Sequence, residues 1–389
     1  MILAVGLVAF MQTHLHRMAF APLIPTFVAD LGLSYAAAGT IQTAYFWTYT
    51  AVQVPVGVVA DRWGERRVMA VCMALLGLGA LAFARSQTYG ESIAARMLVG
   101  LGAAAVWVPS MRLVSEWFPR EERGRATGLL SSGGGLGGTL GLVLVPWLAA
   151  LWGWRWAYGS TAVAALFTLI IVVLGLRPGP REAPPEGAGR GSLRRVLSTR
   201  ALWPFNLSVL FAYGGYFSFI TFLPAFLVTQ LGLSQPYAGF VTSLITAGTI
   251  VSWPLAGLLS DRLGRRKALY LGSQAMSVAG CVAFAVVVPG LGAAGAVVAA
   301  LGTGLLVGGM ILPFVMIVEM FPRELAGTAS GVTNTSCFVG GMVLPIVLGR
   351  VLDVTGSFSA AFLVAAGVQA LAFGFGVFTR ETGTAYGAG

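Results

Sequence analysis

Charged residues are scarce in this chain, and acidic residues are the scarcest. Only 10% of the 389 residues are charged, with 14 Asp and Glu against 24 Lys and Arg. Hydrophobic residues make up 57%, and the mean hydropathy of +0.83 excludes an ordinary soluble globular protein. The apolar runs are about 20 residues long or longer, enough for a helix to cross a hydrocarbon core of roughly 30 Å. The composition therefore predicts an all-α polytopic membrane protein in contact with the lipid bilayer.

Cysteine and histidine are also rare. The three cysteines all fall in apolar runs (Cys72, Cys281 and Cys337), so the sequence indicates neither a disulfide framework nor a metal site. We find no nucleophile and base at a catalytic spacing and no nucleotide-binding loop. We therefore expect no cofactor, no enzyme activity and no ATP-driven pump. The first apolar run has no basic segment before it, which argues against a cleavable signal peptide.

The basic residues are distributed unevenly between the two sides of the predicted spans. Most of the 24 Lys and Arg fall on alternate loops and the C-terminal tail, whereas Arg85, Arg155 and Arg350 fall on the opposite side. This asymmetry follows the positive-inside rule and predicts a plasma or inner membrane location with both termini in the cytoplasm. It also accounts for the pI of 10.1 without nucleic-acid binding, which we do not expect.

The apolar runs predict twelve transmembrane helices. Their ranges are 2–28, 38–59, 67–85, 90–114, 126–150, 154–176, 202–229, 237–259, 268–289, 292–317, 328–351 and 357–379. Residues 177–201 are rich in Pro, Gly and Arg and are predicted to be a cytoplasmic linker. The predicted domains are thus an N-terminal six-helix bundle (1–176), this linker, and a C-terminal six-helix bundle with a short tail (202–389). We expect a monomer.

One charged segment occurs twice, 200 residues apart. The first copy contains Gly57, Asp61, Arg62, Gly64 and Arg66, and the second contains Gly257, Asp261, Arg262, Gly264 and Arg266. Each copy lies between two apolar runs, as a solvated hairpin between two membrane helices should. A carboxylate at the Asp position could cap the N-terminus of the following helix. A second repeated segment, Glu-x-Phe-Pro-Arg-Glu, begins at Glu116 and again at Glu319.

The pattern G-x-x-x-D-R-x-G-x-R-R resembles the loop signature of the major facilitator superfamily of secondary transporters. The resemblance covers essentially the whole chain. It implies two pseudo-symmetric six-helix bundles, a substrate site near the midplane and transport by alternating access. In that family the signature loops latch the two halves on the cytoplasmic side. The resemblance therefore implies a gating role for the residues of both loops and of their neighbourhood, namely Gly57, Asp61, Arg62, Gly64, Arg66, Arg112, Glu116, Gly257, Asp261, Arg262, Gly264, Arg266 and Glu319.

Arg17 is the most unusual residue within the predicted spans. It lies about 24 Å along the first helix at 1.5 Å per residue, close to mid-membrane, where a charge is costly and hence a functional candidate. His14 falls on the same helical face and is a second candidate for binding the substrate, whereas His16 is rotated away from it. All the acidic residues map to loops, helix ends or the tail, so Arg17 is predicted to bind an anionic substrate. The alternative is that it donates to main-chain carbonyls of a neighbouring helix.

Within the superfamily, the sequence around Arg17 and Pro25 is most similar to the anion:cation symporters and the sugar-phosphate (organophosphate) carriers. Arg96 opens an R-x-x-x-G-x-G motif, which the resemblance ties to helix structure or to proton coupling. Many anion symporters have carboxylates where this chain has His16 and Ala103. The candidates for proton coupling are therefore His14, His16 and Arg96.

The resemblance and the acidic-residue pattern together predict secondary transport of a small organic anion, a carboxylate or a phosphate ester, with a co-transported proton left open. Two alternatives remain: a drug or metabolite exporter of the same superfamily, and a membrane sensor that has lost transport. Further candidate lining residues, each of which could instead bridge helices, are Gln42, Tyr45, Tyr49, Tyr213, Tyr216 and Asn334.

A glycine-rich stretch occupies the fifth predicted helix. Gly133, Gly137 and Gly141 recur every four residues, and the stretch formally contains G-x-G-x-x-G. No strand precedes it, so a dinucleotide site is disfavoured. Small residues four apart on a membrane helix instead predict close packing against another helix, or a sliding surface.

Overall fold

The computed structural model describes residues 1–52, 55–56, 59–60, 63–118, 120–177 and 192–383, and no strand occurs among them. The α-helices are α1 (Ile2–Met18), α2 (Ile24–Leu31), α3 (Tyr35–Ala51), α4 (Glu65–Arg85), α5 (Tyr89–Ala104), α6 (Trp107–Trp117), α7 (Arg120–Trp152), α8 (Trp154–Gly175), α9 (Ser192–Leu197), α10 (Leu202–Thr229), α11 (Gln235–Leu263), α12 (Arg266–Val282), α13 (Val288–Leu306), α14 (Leu312–Met320), α15 (Arg323–Thr355) and α16 (Phe358–Val377). The predicted all-α fold class is confirmed.

Each predicted span overlaps one or more of these helices, but four spans are interrupted. The first is split into α1 and α2, the fourth into α5 and α6, and the tenth into α13 and α14. The ninth (268–289) passes from α12 through a π-helical segment, Ala283–Val287, into α13. In the described part of the chain, nine helices are long and apolar enough to cross a membrane by length and composition. α1 and α3 have 17 residues each and are not among these nine.

The break in the first span has a local cause. α1 ends at Met18, and Ala21–Leu23 form a 3-10 turn before α2 begins. Pro22 has no N–H to donate to the Met18 carbonyl, so the α-helical hydrogen-bond ladder stops there. The continuous helix predicted over 2–28 is therefore corrected to two helices, and Arg17 lies in the last turn of the first one.

α1 packs closely against the glycine-rich face of α7. A Cβ added at Gly137 would collide with the main-chain carbonyl of Met11, and one added at Gly133 or Gly141 would come within 2.6 Å of the carbonyl oxygens of Leu7 or Leu15. The helix backbones can approach this closely because these three positions carry no side chain. The glycine-rich stretch is thus a helix-packing surface, and it holds the helix that carries Arg17.

The described chain divides into two compact units. Unit 1 consists of Met1–Ala183 and Thr221–Ser243, and unit 2 of Pro184–Ile220 and Leu244–Gly389. Within unit 1, the Gln235 side chain at the start of α11 donates to the Pro22 carbonyl at 2.8 Å. Of the predicted linker, residues 178–191 lie outside the described part of the chain, and α9 lies near its end.

Candidate functional site

Arg17 lies inside unit 1 with only 7% of its surface exposed. Its guanidinium carbon is 5.6 Å from the ring centre of Tyr45, 5.6 Å from that of Phe46 and 5.3 Å from that of Tyr49. All three rings belong to α3. Aromatic faces attract a cation, and more strongly where water is excluded. The α3 rings therefore help to stabilise the Arg17 charge in the apolar interior.

His14 contacts Arg17 through a defined hydrogen bond. Arg17 Nη1 lies 3.3 Å from His14 Nε2, and His14 Nδ1 lies 3.2 Å from the Phe10 carbonyl oxygen. A guanidinium can only donate and a carbonyl can only accept. The arrangement therefore assigns the lone pair to Nε2 and the proton to Nδ1, so His14 is neutral here.

His16 points away from Arg17, as the helical spacing predicts. It is fully buried, and its Nδ1 donates to the Gln12 carbonyl at 3.0 Å. Its ring meets the edge of the Tyr158 ring on α8, with centroids 6.1 Å apart. His16 thus lies at a helix interface, and His14 is the histidine at the Arg17 site.

Arg96 is completely buried and uses all five of its guanidinium N–H groups within the protein. Nε donates to the Ile41 carbonyl, and Nη1 donates to the His16 carbonyl and the Tyr158 hydroxyl, both at 2.9 Å. Nη2 donates to the main-chain and side-chain oxygens of Gln42, at 3.3 and 3.1 Å. Because no N–H remains for a ligand, this geometry assigns Arg96 to joining α1, α3 and α8.

The R-x-x-x-G pattern has a physical reason in this packing. Gly100 lies one turn after Arg96 on α5, and a Cβ there would collide with the Tyr45 main-chain carbonyl. The missing side chain lets α5 approach α3 closely enough for Arg96 to reach the carbonyls of Ile41 and Gln42. The Thr48 hydroxyl reinforces the same contact by donating to the Met97 carbonyl at 2.5 Å.

The predicted lining tyrosines of unit 1 differ in accessibility. Tyr45 is fully buried, and its hydroxyl donates to the Thr13 carbonyl at 3.4 Å. Tyr49 is 6% exposed and stacks on Tyr45 with centroids 5.7 Å apart. Tyr45 therefore packs against Arg17 on the side away from the accessible surface. Tyr49 and His14 lie beside Arg17 and nearer that surface.

The predicted lining residues of unit 2 are Tyr213, Tyr216 and Asn334. Tyr213 is 8% exposed, and its hydroxyl donates to the Met310 carbonyl at 3.0 Å. It therefore bridges two segments of unit 2, which is the alternative that the sequence left open. Tyr216 on α10 and Asn334 on α15 are half-buried.

The second charged loop forms an ion-pair cluster in unit 2. Arg266 at the start of α12 pairs with Asp261 at 3.0 Å and with Glu319 on α14 at 2.8 Å. The Arg266 side chain is only 15% exposed, which strengthens both pairs relative to fully solvated ones. The gating residues predicted from the resemblance thus include three that meet in space.

The remaining predicted gating residues are not part of this ion-pair cluster as far as the structure describes them. Gly64 and Gly264 both have positive φ, 81° and 62°. Arg66 is exposed, as is Arg262 on α11, and Gly257 is half-buried on the same helix. Three others, Gly57, Asp61 and Arg62, lie outside the described residues. For Arg112 and Glu116 the structure describes the main chain but not the side chain.

The expected capping role of Asp261 is wrong. Asp261 lies within α11, and the N-terminus of α12 is instead capped by Glu381 from the C-terminal tail. Glu381 Oε1 accepts from the main-chain N–H groups of Arg266 at 2.8 Å and Lys267 at 3.1 Å. Partial burial raises the pKa of the Glu381 carboxyl, but hydrogen bonds from backbone N–H groups outweigh it, and the pKa lies below its usual value.

Three residues of these networks were missed or left open by sequence reasoning. Gln42 is recognisable in the sequence as an amide side chain within an apolar span. The sequence does not show that this amide contacts Arg17 and Arg96. Tyr158 and Glu381 carry no signal of their own, because their partners Arg96 and Arg266 lie 62 and 115 residues away.

Comparison with known proteins identifies the group to which this chain is similar. The family model described as Major Facilitator Superfamily matches residues 5–345 and, in a second match, residues 205–386. A probable galactarate/D-glucarate transporter of Bacillus subtilis is 27% identical over 379 residues, which cover 88% of this chain and 83% of the relative. A probable sulfoacetate transporter of Cupriavidus necator is 26% identical over 399 residues, covering 96% and 92% of the two chains.

The fold is also similar to that of a solved transporter. A bacterial homolog of the human lysosomal transporter Spinster, in an inward-facing and unoccupied conformation, superposes with a TM-score of 0.78 at 16% identity. The similarity covers 97% of this chain and 94% of the other. At that level of identity the comparison shows the shared fold.

Proposed function

Since this chain belongs to the Major Facilitator Superfamily, we propose that it is a secondary transporter of a small organic anion in which Arg17 binds the anion. The family and the relatives are transporters, and the chain is a multi-pass membrane protein. Transport would proceed by alternating access between a six-helix bundle over 1–176 and another over 202–389, with Arg17 near the midplane.

The observation that carries this proposal is the environment of Arg17. Its guanidinium lies among three aromatic rings of α3, and its Nη1 lies 3.3 Å from Nε2 of His14. A guanidinium in surroundings of low dielectric attracts an anion more strongly than one in water does. Its planar fork matches the two oxygens of a carboxylate or the face of a sulfonate or phosphate.

The relatives support the class of substrate. Both are named for organic anions, namely galactarate and D-glucarate in one case and sulfoacetate in the other. All three compounds carry a carboxylate together with a second acidic group. We propose that the substrate of this chain is likewise a small carboxylate, and these three compounds are the first to test.

The test is a comparison of Arg17 variants in purified protein. Arg17→Lys retains the charge and loses the two-oxygen contact, so binding should weaken by about 1–3 kcal/mol, roughly tenfold to a hundredfold. Arg17→Gln removes the charge and should abolish binding while membrane insertion is preserved. Dissociation constants for D-glucarate, galactarate and sulfoacetate, together with melting temperatures, are measured on the same samples.

The control is Arg155→Lys, at an arginine that is 40% exposed and pairs with Asp30. It should leave all three dissociation constants unchanged. Stable Arg17→Gln protein that binds an anion as tightly as wild type would refute the proposal. So would a loss of melting temperature in Arg17→Lys with affinity preserved, because that pattern belongs to a structural arginine.

We further propose that transport is coupled to a proton at His14. The Arg17–His14 bond requires a lone pair on Nε2. Protonation there would set an N–H against the guanidinium and break the bond, so occupancy of His14 by a proton and the position of Arg17 are linked. His16 remains the second candidate, and Arg96, whose N–H groups are all used, does not enter this scheme.

The proposed location is the plasma or inner membrane with both termini in the cytoplasm. The support is the excess of Lys and Arg on the loops of one predicted side. Reporter fusions at the C-terminus that are active only in the cytoplasm test this orientation. Activity of a periplasmic or extracellular reporter at that terminus would overturn it.

A further inference from the structure

We propose that Gln42 is a positioning residue of the anion site, which fixes Arg17 by tying its main chain to the buried Arg96. The proposal rests on the proposed function of Arg17 and concerns what holds that residue in place. Gln42 is 3% exposed and Arg96 is fully buried. Neither side chain therefore needs to touch the substrate, and both can act on it only through other residues.

The first step concerns the end of α1. The last four carbonyls of a helix have no partner within the helix, and here Pro22 prevents continuation of the ladder. The Leu15 carbonyl is satisfied by the Ala19 N–H at 2.8 Å. The next two are satisfied by side chains from other helices, because Arg96 donates to the His16 carbonyl at 2.9 Å and Gln42 donates to the Arg17 carbonyl at 3.1 Å.

The second step concerns the orientation of the Gln42 amide. An amide oxygen and nitrogen are hard to distinguish by shape, but the partners here decide which is which. Arg96 Nη2 is only a donor, so the oxygen Oε1 faces it at 3.1 Å. The Arg17 carbonyl is only an acceptor, so the nitrogen Nε2 faces it. Gln42 thus links the buried guanidinium to the main chain of the anion-binding residue in one fixed direction.

The third step is the consequence for binding. Arg17 lies one residue before the end of α1, so its side chain is placed by the point at which the helix stops. Arg96 is anchored to α3 and α8 through Ile41 and Tyr158. Gln42 accepts from Arg96 and donates to the Arg17 carbonyl, so it connects Arg17 to this rigid group. Loss of this link frees the last turn of α1, and small displacements of a binding group cost a large factor in recognition.

The experiment uses two substitutions at Gln42 and a matched control. Gln42→Met has a similar length and makes neither hydrogen bond. Gln42→Glu keeps an acceptor for Arg96 but puts a carboxylate oxygen against the Arg17 carbonyl, where no donor remains. The control is Gln369→Met in unit 2. The Gln369 side chain is likewise buried, at 1% exposed, and donates to the main-chain carbonyl of Ala212 at the same 3.1 Å.

Full-length protein in nanodiscs is titrated with D-glucarate, galactarate and sulfoacetate, and its melting temperature is recorded. We expect Gln42→Met and Gln42→Glu to weaken binding about tenfold or more. Gln42→Glu should keep its melting temperature, because the new carboxylate pairs with Arg96. Gln369→Met should lower the melting temperature as much as Gln42→Met does while leaving the dissociation constants unchanged.

A double-mutant comparison separates positioning from general damage. If Gln42 acts through Arg17, then Gln42→Met should weaken binding no more than about threefold when Arg17 is already Lys, because coupled residues are not additive. An equal fold-loss in both backgrounds would overturn the inference. Unchanged affinity in folded Gln42→Glu protein would also overturn it, and this variant remains decisive if Gln42→Met does not fold.

The failure of this inference differs from the failure of the proposed function. If wild type binds none of the three anions, or if Arg17→Lys binds as wild type does, the proposed function fails and the inference falls with it. If Arg17→Lys weakens binding and the Gln42 variants do not, the inference alone is wrong.

Discussion

At the scale of single residues, the site depends on which atoms of His14 and Arg17 carry protons. Arg17 has no lone pair to offer, so His14 Nε2 must accept from it. His14 Nδ1 is committed to the Phe10 carbonyl. A proton added to His14 can only go to Nε2, where it faces the guanidinium. The same bond therefore links protonation of His14 to the position of Arg17, the residue that we propose binds the anion.

This arrangement predicts that His14 sets the pH dependence of transport. His14→Ala should flatten the pH profile of uptake into proteoliposomes, whereas His16→Ala should keep the wild-type shape, because His16 contacts Gln12 and Tyr158 instead of Arg17. The His14→Ala, His16→Ala double variant should match His14→Ala. A pH profile that survives in the double variant would show that neither histidine carries the coupled proton.

At the scale of secondary-structure elements, helix ends and helix faces decide the stability of each unit. α12 begins without a side-chain cap of its own and takes its cap from Glu381, beyond the end of α16. Lys267 strengthens the same contact, because its Nζ donates to the Val377 carbonyl at 2.6 Å. The tail after α16 is thus part of the folded unit.

The Glu381 cap should contribute a pH-dependent stability. Its folded-state pKa lies below the usual value, so the contribution is present in full at neutral pH and is lost as the pH falls through that pKa. Glu381→Gln should lower stability by about 1 kcal/mol at pH 7, the scale of a helix cap. Melting temperatures of both proteins are compared from pH 7 to pH 3, and their difference should shrink only towards the acid end, as the pH falls through the lowered pKa. A difference that stays constant over this range would contradict the assignment.

The packing of α1 on α7 gives a second prediction at this scale. Gly137→Ala should disrupt folding or transport severely, because the added methyl group would collide with the Met11 carbonyl. Gly128→Ala on the same helix is the control. A Cβ there meets nothing within 4 Å, and replacing an exposed helical glycine by alanine should stabilise by up to about 1 kcal/mol. Melting temperature and uptake are compared, and equal tolerance of both substitutions would rule out close α1–α7 packing.

At the scale of the whole molecule, the predicted gating role implies that contacts at the charged loops form and break during transport. Arg266 is bonded to both Asp261 and Glu319 in the described state. Such partly exposed ion pairs contribute little to stability, about 0–1 kcal/mol each. They can nevertheless bias the balance between two conformations of similar free energy. This combination fits a gate better than it fits a structural support.

The gate predicts a separation between transport and stability. Arg266→Gln should reduce uptake several-fold while the melting temperature changes by only a few degrees. The matched control is Arg265→Gln, which removes the same charge one residue away from an exposed side chain and should transport like wild type. Equal loss in both variants would point to net charge alone, and normal uptake in Arg266→Gln would argue against the gate.

The sequence by itself determined the helical fold class, the spans and the candidate at Arg17. Within the hydrocarbon core there is no water to hydrogen-bond the backbone, so an apolar run of membrane length must pair its own N–H and C=O groups as a helix. The end of α1 was not predicted, since the apolar run indicated one helix over 2–28, although its cause, the missing N–H of Pro22, is local. Arg17 stands out because the Asp and Glu residues fall in loops, at the ends of the predicted spans (as Glu91 does in 90–114) or in the tail, and this distribution can be read from the sequence without coordinates.

Only the tertiary structure decided which polar groups meet. A helical period shows which side chains share a face, but it does not show which helix that face meets. The sequence allowed Arg96 to be a coupling residue. The structure shows that its five N–H groups donate to residues 54 to 80 positions away along the chain. Asp261 was the nearer choice to cap α12, yet Glu381 does so from 115 residues away. Hydrogen bonds join groups that packing brings together, and separation along the chain carries no information about that.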